Sequence, residues 1–226
     1  MTRRPNGPKV CTDWSVQMTG ATTTPKSREG RQTREAIIAA AKRLIQIQGY
    51  NATSLDDVLR ESGVGKGSFY HYFRSKEELG YAILDEIVGS FLARTLEPCF
   101  ADPDGPPLGQ IRCFLDRVLA AQREAGCVGG CPLGNLASEL SDVHEGFRAR
   151  LAGIFAAWRE RLTRALEEAR RRGDVVAECR PDAVANFVVA SLEGAILLGK
   201  VSKDVTLLDT CVAELKRYLA LYERTS

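Results

Sequence analysis

Three features of the chain predict an all-α fold. Apolar residues recur at spacings of three and four over most of its length. No stretch sustains the alternation of a strand; β-branched runs such as Val175-Val176 and Phe187-Val188-Val189 are too short to argue one. Glycine, proline and hydroxyl residues fall where helices should start and stop.

The elements follow in order. Residues 1–28 are rich in Pro, Thr, Gly, Arg and Lys and lack apolar periodicity, so a disordered basic arm is expected. Ile37, Ile38, Ala41, Leu44, Ile45 and Ile47 then mark an amphipathic helix over about 31–48, stopped by Gly49. Thr53 and Ser54 offer hydroxyl caps, and Asp56 and Asp57 first-turn acids, for a short helix over 54–61. Ser62 to Gly65 reads as a turn, Lys66 to Tyr72 as another short helix, and Ser75 as the cap of a helix running from Lys76 past Phe91. A loop with four prolines spans 98–107. Further helices are expected over 108–125, 133–140, 147–172, 181–200 and 205–222, with a glycine-rich break at 126–132.

Composition bounds the function. A hydrophobic content of 44% supplies the core of one large or two small domains. The net charge is only +2, but residues 1–80 carry 13 Lys and Arg against 8 Asp and Glu, while the rest carry 18 against 21. That asymmetry, +5 against −3, points the first part at an anionic partner. There is no run of about 18 apolar residues, so no membrane span is expected. The N-terminus lacks the apolar segment of a signal peptide. Seven scattered cysteines, an odd number, suggest a reduced cytoplasmic protein. An enzyme is disfavoured: no phosphate-cradling loop follows a strand, no Ser/His/Asp order exists, and His144 stands alone between Val143 and Glu145. No cofactor or metal is implied.

The segment GVGKGSFYHYF, Gly63 to Phe73, concentrates rings beside glycines and a lysine. Helix, short helix, glycine turn and short helix form the pattern of a helix-turn-helix. Gly63 and Gly65 permit the turn, and Lys66, Gly67 and Ser68 open the helix whose start enters a major groove in such motifs. Phe69 and Phe73, at i and i+4, should face a small core with Val64, Leu55, Val58 and Leu44. Tyr70 and His71 should face a duplex, and Lys76 a phosphate.

The whole run TREAIIAAAKRLIQIQGYNATSLDDVLRESGVGKGSFYHYFRSKEEL, Thr33 to Leu79, resembles the DNA-binding domain of the TetR/AcrR family of one-component repressors. The resemblance implies a helix-turn-helix domain over 29–79 and a helical effector-binding and dimerisation domain over 80–226. It implies double-stranded operator DNA as partner, contacted by Thr53, Ser54, Lys66, Gly67, Ser68, Tyr70, His71 and Lys76, with Lys26, Arg28 and Arg31 adding contacts from the arm. It also implies a homodimer through the last two helices, with Ala190, Gly194 and Ala195 allowing close crossing. An effector pocket is expected among Phe91, Phe114, Val118, Gln122, Leu136, Phe155, Trp158 and Phe187, with the Trp158 N–H seeking a partner.

A second stretch, CVGGCPLGNLASELSD, places Cys131 at a helix start behind a glycine-rich connector. The helix dipole should lower the pKa of such a thiol. This stretch resembles an electrophile- and oxidant-sensing branch of the same family, which has Gly-Cys-Leu-x-x-x-Leu-Ser-x-Glu here. On that likeness Cys131 would sense, and Lys200, in Gly-Lys-Val-Ser, would lie near the thiol. Pro132 and the extra Cys127 depart from the pattern; Cys127 could resolve an oxidised Cys131 as a disulfide, and a zinc site at the two thiols is the other alternative. The same stretch also resembles that of family members that bind small organic acids or aldehydes reversibly, without reacting covalently. Cys113, Cys179 and Cys211 read as plain buried hydrophobes.

Overall fold

The computed structural model describes residues 28–224. Nine α-helices make up most of them, and the only strand-like pairing among the described residues is a single bridge between Val175 and Glu223. Helix α1 spans Arg28–Gln48, α2 Leu55–Ser62, α3 Lys66–Tyr72 and α4 Lys76–Phe91. Helix α4 runs on through a π turn at Leu92–Leu96 into a 3-10 turn at Glu97–Cys99. The body continues with α5 Pro107–Glu124, α6 Pro132–Leu140, α7 Glu145–Arg172, α8 Pro181–Ser202 and α9 Val205–Ala220.

Local chemistry sets the boundaries. Ser54 caps α2 with a reciprocal capping box: its hydroxyl accepts the Asp57 N–H, and the Asp57 carboxylate accepts the Ser54 N–H. Gly63 ends α2 at φ 68°, a left-handed conformation natural to glycine. Ser75 caps α4 by accepting the Glu78 N–H at 3.1 Å. Helix α1 starts at Arg28, three residues ahead of the expected start.

The head, α1 to α3 with the start of α4, has its own core. Ile37, Ile38, Val58, Phe69, Phe73 and Leu79 are buried there, with Leu44, Leu55 and Val64 packed against them. The body core is larger and draws on α5, α7, α8 and α9. Helix α8 is long and apolar enough to cross a bilayer by length and composition alone, with a mean hydropathy of 1.6. Here its inner face packs between α7 and α9, and only its outer stripe is exposed.

A third cluster joins head to body: Tyr50, Leu84, Val88, Leu133, Leu136 and Phe147. Gly80 makes that seam possible, because a Cβ there would sit 2.6 Å from Phe147 Cζ and 2.8 Å from Tyr50 Cε2. Gly80→Ala is therefore expected to destabilise by about 1–3 kcal/mol, as overpacking does. At ~2–4 °C per kcal/mol, circular dichroism melts should show a drop of several degrees.

One expectation about the thiols is corrected. Cys99 and Cys113 are joined as a disulfide, with Cα atoms 5.6 Å apart. The π and 3-10 turns after α4 carry Cys99 onto the flank of α5, so Cys113 is not a lone buried hydrophobe and the cysteines are not uniformly reduced.

Candidate nucleic-acid interface and sensing site

Helix α3 sorts its side chains by face. Phe69 and Phe73 are fully buried. Lys66, Gly67, Ser68, Tyr70 and His71 are exposed on one short helix. Tyr70 stands edge-on to Phe69 at 5.4 Å, and His71 edge-on to Tyr72 at 4.9 Å, so buried or half-buried rings hold the exposed ones. A Cβ added to Gly65 or Gly67 would meet nothing within 4 Å. Gly67 is helical with ordinary φ, so the fold itself gives no reason for glycine there.

Other expected contacts lie elsewhere. Thr53 is 1% exposed and its hydroxyl donates to the Gly49 carbonyl at 2.7 Å, so its side chain locks the α1–α2 turn and is not offered outward. Ser54 remains exposed, with its hydroxyl engaged in the α2 cap. The Lys76 ammonium lies 4.4 Å over the Tyr50 ring and donates to the Asn51 carbonyl at 3.4 Å. Burial holds its pKa below the ordinary lysine value, against the pull of Glu139. Lys76 thus braces the turn instead of standing free for a phosphate. Arg28 and Arg31 are exposed at the start of α1, and Lys26 lies outside the described residues.

Cys131 is the N-cap of α6, with Sγ accepting the Gly134 N–H at 3.4 Å. The expected lowering of its pKa is corrected. Burial pushes this thiol well up, and the Glu193 carboxylate pushes it further, outweighing the helix end. Lys200 does not supply the neighbouring charge. Its stem packs where a Cβ on Gly130 would be 2.9 Å from Cδ, and its ammonium donates to Asn135 Oδ1 at 2.9 Å. The group facing the thiol is Glu193 of α8, a residue the sequence reading missed. Its Oε2 would be 2.5 Å from a Cβ on Gly134, and its Oε1 is buried without a hydrogen-bond partner. Burial raises its pKa too, while the hydrogen bond with Cys131 opposes the rise. An acid in the middle of an apolar helix reads as surface, so only the capped end of α6 beside it reveals the pair.

Cys127 is not the accessible thiol of a mobile connector. It is 2% exposed at φ 55°, its N–H donates to the Gln122 carbonyl at 3.0 Å, and its Sγ packs against Gly199. Among the described residues no group of three or more His, Cys, Asp and Glu converges to hold a metal.

At the other end of α6 stands Glu139, also missed. Its carboxylate accepts the Tyr50 N–H at 2.8 Å and the Asn51 N–H at 2.6 Å. One nine-residue helix therefore carries the thiol at its start and a grip on the head near its end.

The expected effector residues divide. Phe91, Phe114 and Trp158 meet edge to face with centroids 5.3–6.1 Å apart, and Phe155 stacks on Trp158 at 6.0 Å. Trp158 Nε1 is buried with no hydrogen-bond partner. Val118 lies in the same body core, Leu136 in the head–body seam, and Gln122 is half-buried near the end of α5. Phe187 is corrected: it is 49% exposed on the outer face of α8, tilted against Tyr218 at 4.6 Å. Ala195 is likewise buried in this chain's own core and not on the outer stripe.

A positive helix-turn-helix head with one ringed helix turned outward, fixed to a helical body, defines a DNA-binding transcription regulator. Comparison with known proteins agrees. Residues 37–83 match the family described as bacterial regulatory proteins, tetR family, and residues 107–215 match the tetracyclin repressor-like C-terminal domain. The chain is 34% identical to the transcriptional regulator AcuR of Cereibacter sphaeroides over 74% of its own length and 75% of that protein's. It is 29% identical to the transcriptional repressor NemR of Escherichia coli K12, over 83% and 94% of the two chains. The reduced form of Escherichia coli NemR superposes with a TM-score of 0.73, covering 82% of this chain and 96% of that one. A TetR regulator from Chloroflexus aurantiacus, 29% identical, superposes at 0.81 over 88% and 100%. This chain belongs to the TetR family of bacterial transcription regulators, which are not enzymes.

Proposed function

We propose that the chain is a homodimeric repressor that reads a palindromic operator with α3 and releases it when Cys131 is modified. The observation that carries the DNA reading is the outward face of α3: Lys66, Gly67, Ser68, Tyr70 and His71 exposed together, over buried Phe69 and Phe73. Lys66 and His71 supply donors for phosphate or base edges, Tyr70 a hydroxyl, and Gly67 room for the helix to press into the groove. Ser54, Arg28, Arg31 and Lys26 extend the contact along the backbone. Such a protein works where the chromosome is, in the cytoplasm.

The dimer reading is supported by α8. Phe187, Ala190, Gly194, Leu198 and Val201 recur at spacings of three and four on its exposed side. Two copies joined there would present two heads to half-sites roughly 34–36 Å apart.

Helix α6 supplies the transmission. An electron-poor alkene that accepts the Cys131 sulfur gains an S–C bond, and the thiol proton ends on the adduct's neighbouring carbon. The added bulk sits at the start of α6, between Gly134 and Glu193, and the shift reaches the head through Glu139. Only a difference in affinity between the two head positions can release DNA. The test is N-ethylmaleimide. Labelling of Cys131, followed by mass spectrometry, is expected to be slow at pH 7 and to accelerate as pH rises, because burial keeps the thiol protonated. Labelled wild type should leave its operator while Cys131→Ser stays bound under the same treatment; equal release from both would defeat the thiol reading.

A second reading has its own observation. The Trp158 N–H lies unpaired beside the rings of Phe91, Phe114 and Phe155, a place for a reversibly bound organic ligand that offers an acceptor. In that case Cys131→Ser responds to the ligand as wild type does.

A further inference from the structure

Cys99 and Cys113 are joined, with Cα atoms 5.6 Å apart across 14 positions of sequence. A regulator that works beside the chromosome sits where glutathione and thioredoxin keep thiols reduced. A disulfide that forms there is usually transient or redox-sensing, not a permanent staple.

Its placement ties it to the head. Helix α4 carries Leu79 and Ile83 in the head core and Leu84 and Val88 in the seam. It then runs without a break through the π turn and the 3-10 turn to Cys99. Such π turns are rare and frequent at functional sites. Cys113 lies on α5 beside Phe114, which meets Phe91 and Trp158 edge to face. The bond therefore pins the far end of the helix that enters the head onto the aromatic body core. Two guanidiniums serve the same segment: Arg117 donates to the Arg94 carbonyl at 2.9 Å and Arg161 to the Phe100 carbonyl at 3.0 Å. Positive charge favours the thiolates on which exchange depends. Access is uneven, because Cys99 is 7% exposed and Cys113 half-buried. Among the other described cysteines, Cys127 and Cys179 are buried, and burial keeps Cys131 protonated.

From this arrangement we propose that Cys99 and Cys113 form a reversible dithiol–disulfide site, distinct from Cys131, opened and closed by cellular thiols of the glutathione class. In opening, a glutathione thiolate attacks the more accessible Cys113 sulfur. A mixed disulfide forms, the Cys99–Cys113 bond breaks, and Cys99 leaves as a thiolate that takes up a proton. A second glutathione thiolate attacks the glutathione sulfur of the mixed disulfide and frees Cys113, which takes up the second proton. Two electrons pass in all: the bridge is reduced to two thiols, and two glutathiones are oxidised to their disulfide. Closure runs the same steps in reverse. Opening detaches the turns over 92–99 from α5 and lets the far end of α4 shift. That consequence for DNA rests on the regulator reading; the thiol chemistry does not.

The experiment uses the full chain carrying Cys131→Ser, equilibrated in glutathione mixtures from fully oxidised to fully reduced. Acid quenching, alkylation and tryptic mapping read the bond, since trypsin cuts after Arg112, between the two cysteines. The bond is expected to open and reform reversibly within this range, whereas a purely structural bridge resists the glutathione pool. With Trp14→Phe added, Trp158 is the sole tryptophan, and its emission should change with the same midpoint. The oxidised and reduced forms should differ in operator affinity by at least about fivefold. Replacing both Cys99 and Cys113 by alanine should abolish the glutathione dependence of emission and affinity. A bond that stays closed in reduced glutathione, thiols that stay open in oxidised glutathione, or a dependence that survives in the alanine variant would overturn the proposal. Conversion with equal operator binding by both forms would sink the coupling through α4. Conversion with no operator binding by either form would sink the regulator reading alone.

Discussion

Gly67→Ala is expected to make the protein more stable and a worse DNA binder at once. Glycine inside a helix costs about 0.5–1 kcal/mol relative to alanine. Nothing within 4 Å would meet the new Cβ, and Gly67 has no positive φ to protect. The melting temperature should therefore rise by a degree or more, at ~2–4 °C per kcal/mol. In the complex the same methyl stands between α3 and the groove. Losing one close contact of ~1–3 kcal/mol weakens operator binding about tenfold. Fluorescence anisotropy beside a thermal melt checks both signs. A fold explanation predicts neither the gain nor the loss; if alanine destabilises the free protein and leaves affinity untouched, Gly67 serves packing that the structure does not contain.

The second large effect is expected at Glu139. Its carboxylate holds two N–H groups of the α1–α2 turn, Tyr50 and Asn51, from across the seam. Glu139→Ala leaves both donors without that partner, at a cost of about 2 kcal/mol, since hydrogen bonds to a charged group are each worth ~1.5–3 kcal/mol and solvent compensates at the exposed Asn51. The melting temperature should fall by about 4–8 °C. The functional effect is larger. With the grip gone, a change at Cys131 no longer reaches the head. Wild type should lose most of its operator affinity after labelling with N-ethylmaleimide, while labelled and unlabelled Glu139→Ala should bind DNA within about twofold of each other. Full release from the labelled variant would show that the signal travels by another route, such as the Tyr50–Phe147 contact at 5.0 Å.

The helices were legible because their signals are local. Helix α3 begins and ends at the expected residues, with Gly65 before it and Phe73 after. The buried faces of α1 and α3 followed directly from spacing, as with Ile37, Ile38, Phe69 and Phe73. What failed needed distant partners. Glu139 gains its meaning from backbone 88 and 89 residues away. Glu193 looks like any helix acid until α6 is laid against it. Thr53 and Ser54 are equivalent as letters, yet only Ser54 caps α2, and Thr53 turns inward to Gly49. Phe187 was misplaced because α8 is apolar on both sides, so periodicity alone does not say which side is core. Cys99 and Cys113 lie on either side of a proline loop, and only the irregular turns after α4 bring them together. The pKa of Cys131 went the wrong way because the helix-end effect is visible in sequence and burial is not.

The claim that α3 reads DNA is tested most directly by the salt dependence of binding to DNA upstream of the protein's own gene. Wild type should bind with an affinity that falls steeply and linearly in log–log form as salt rises, and Lys66→Ala should reduce that slope by about one. Binding that ignores salt, or a slope and affinity unchanged by both Lys66→Ala and Tyr70→Ala, would contradict it.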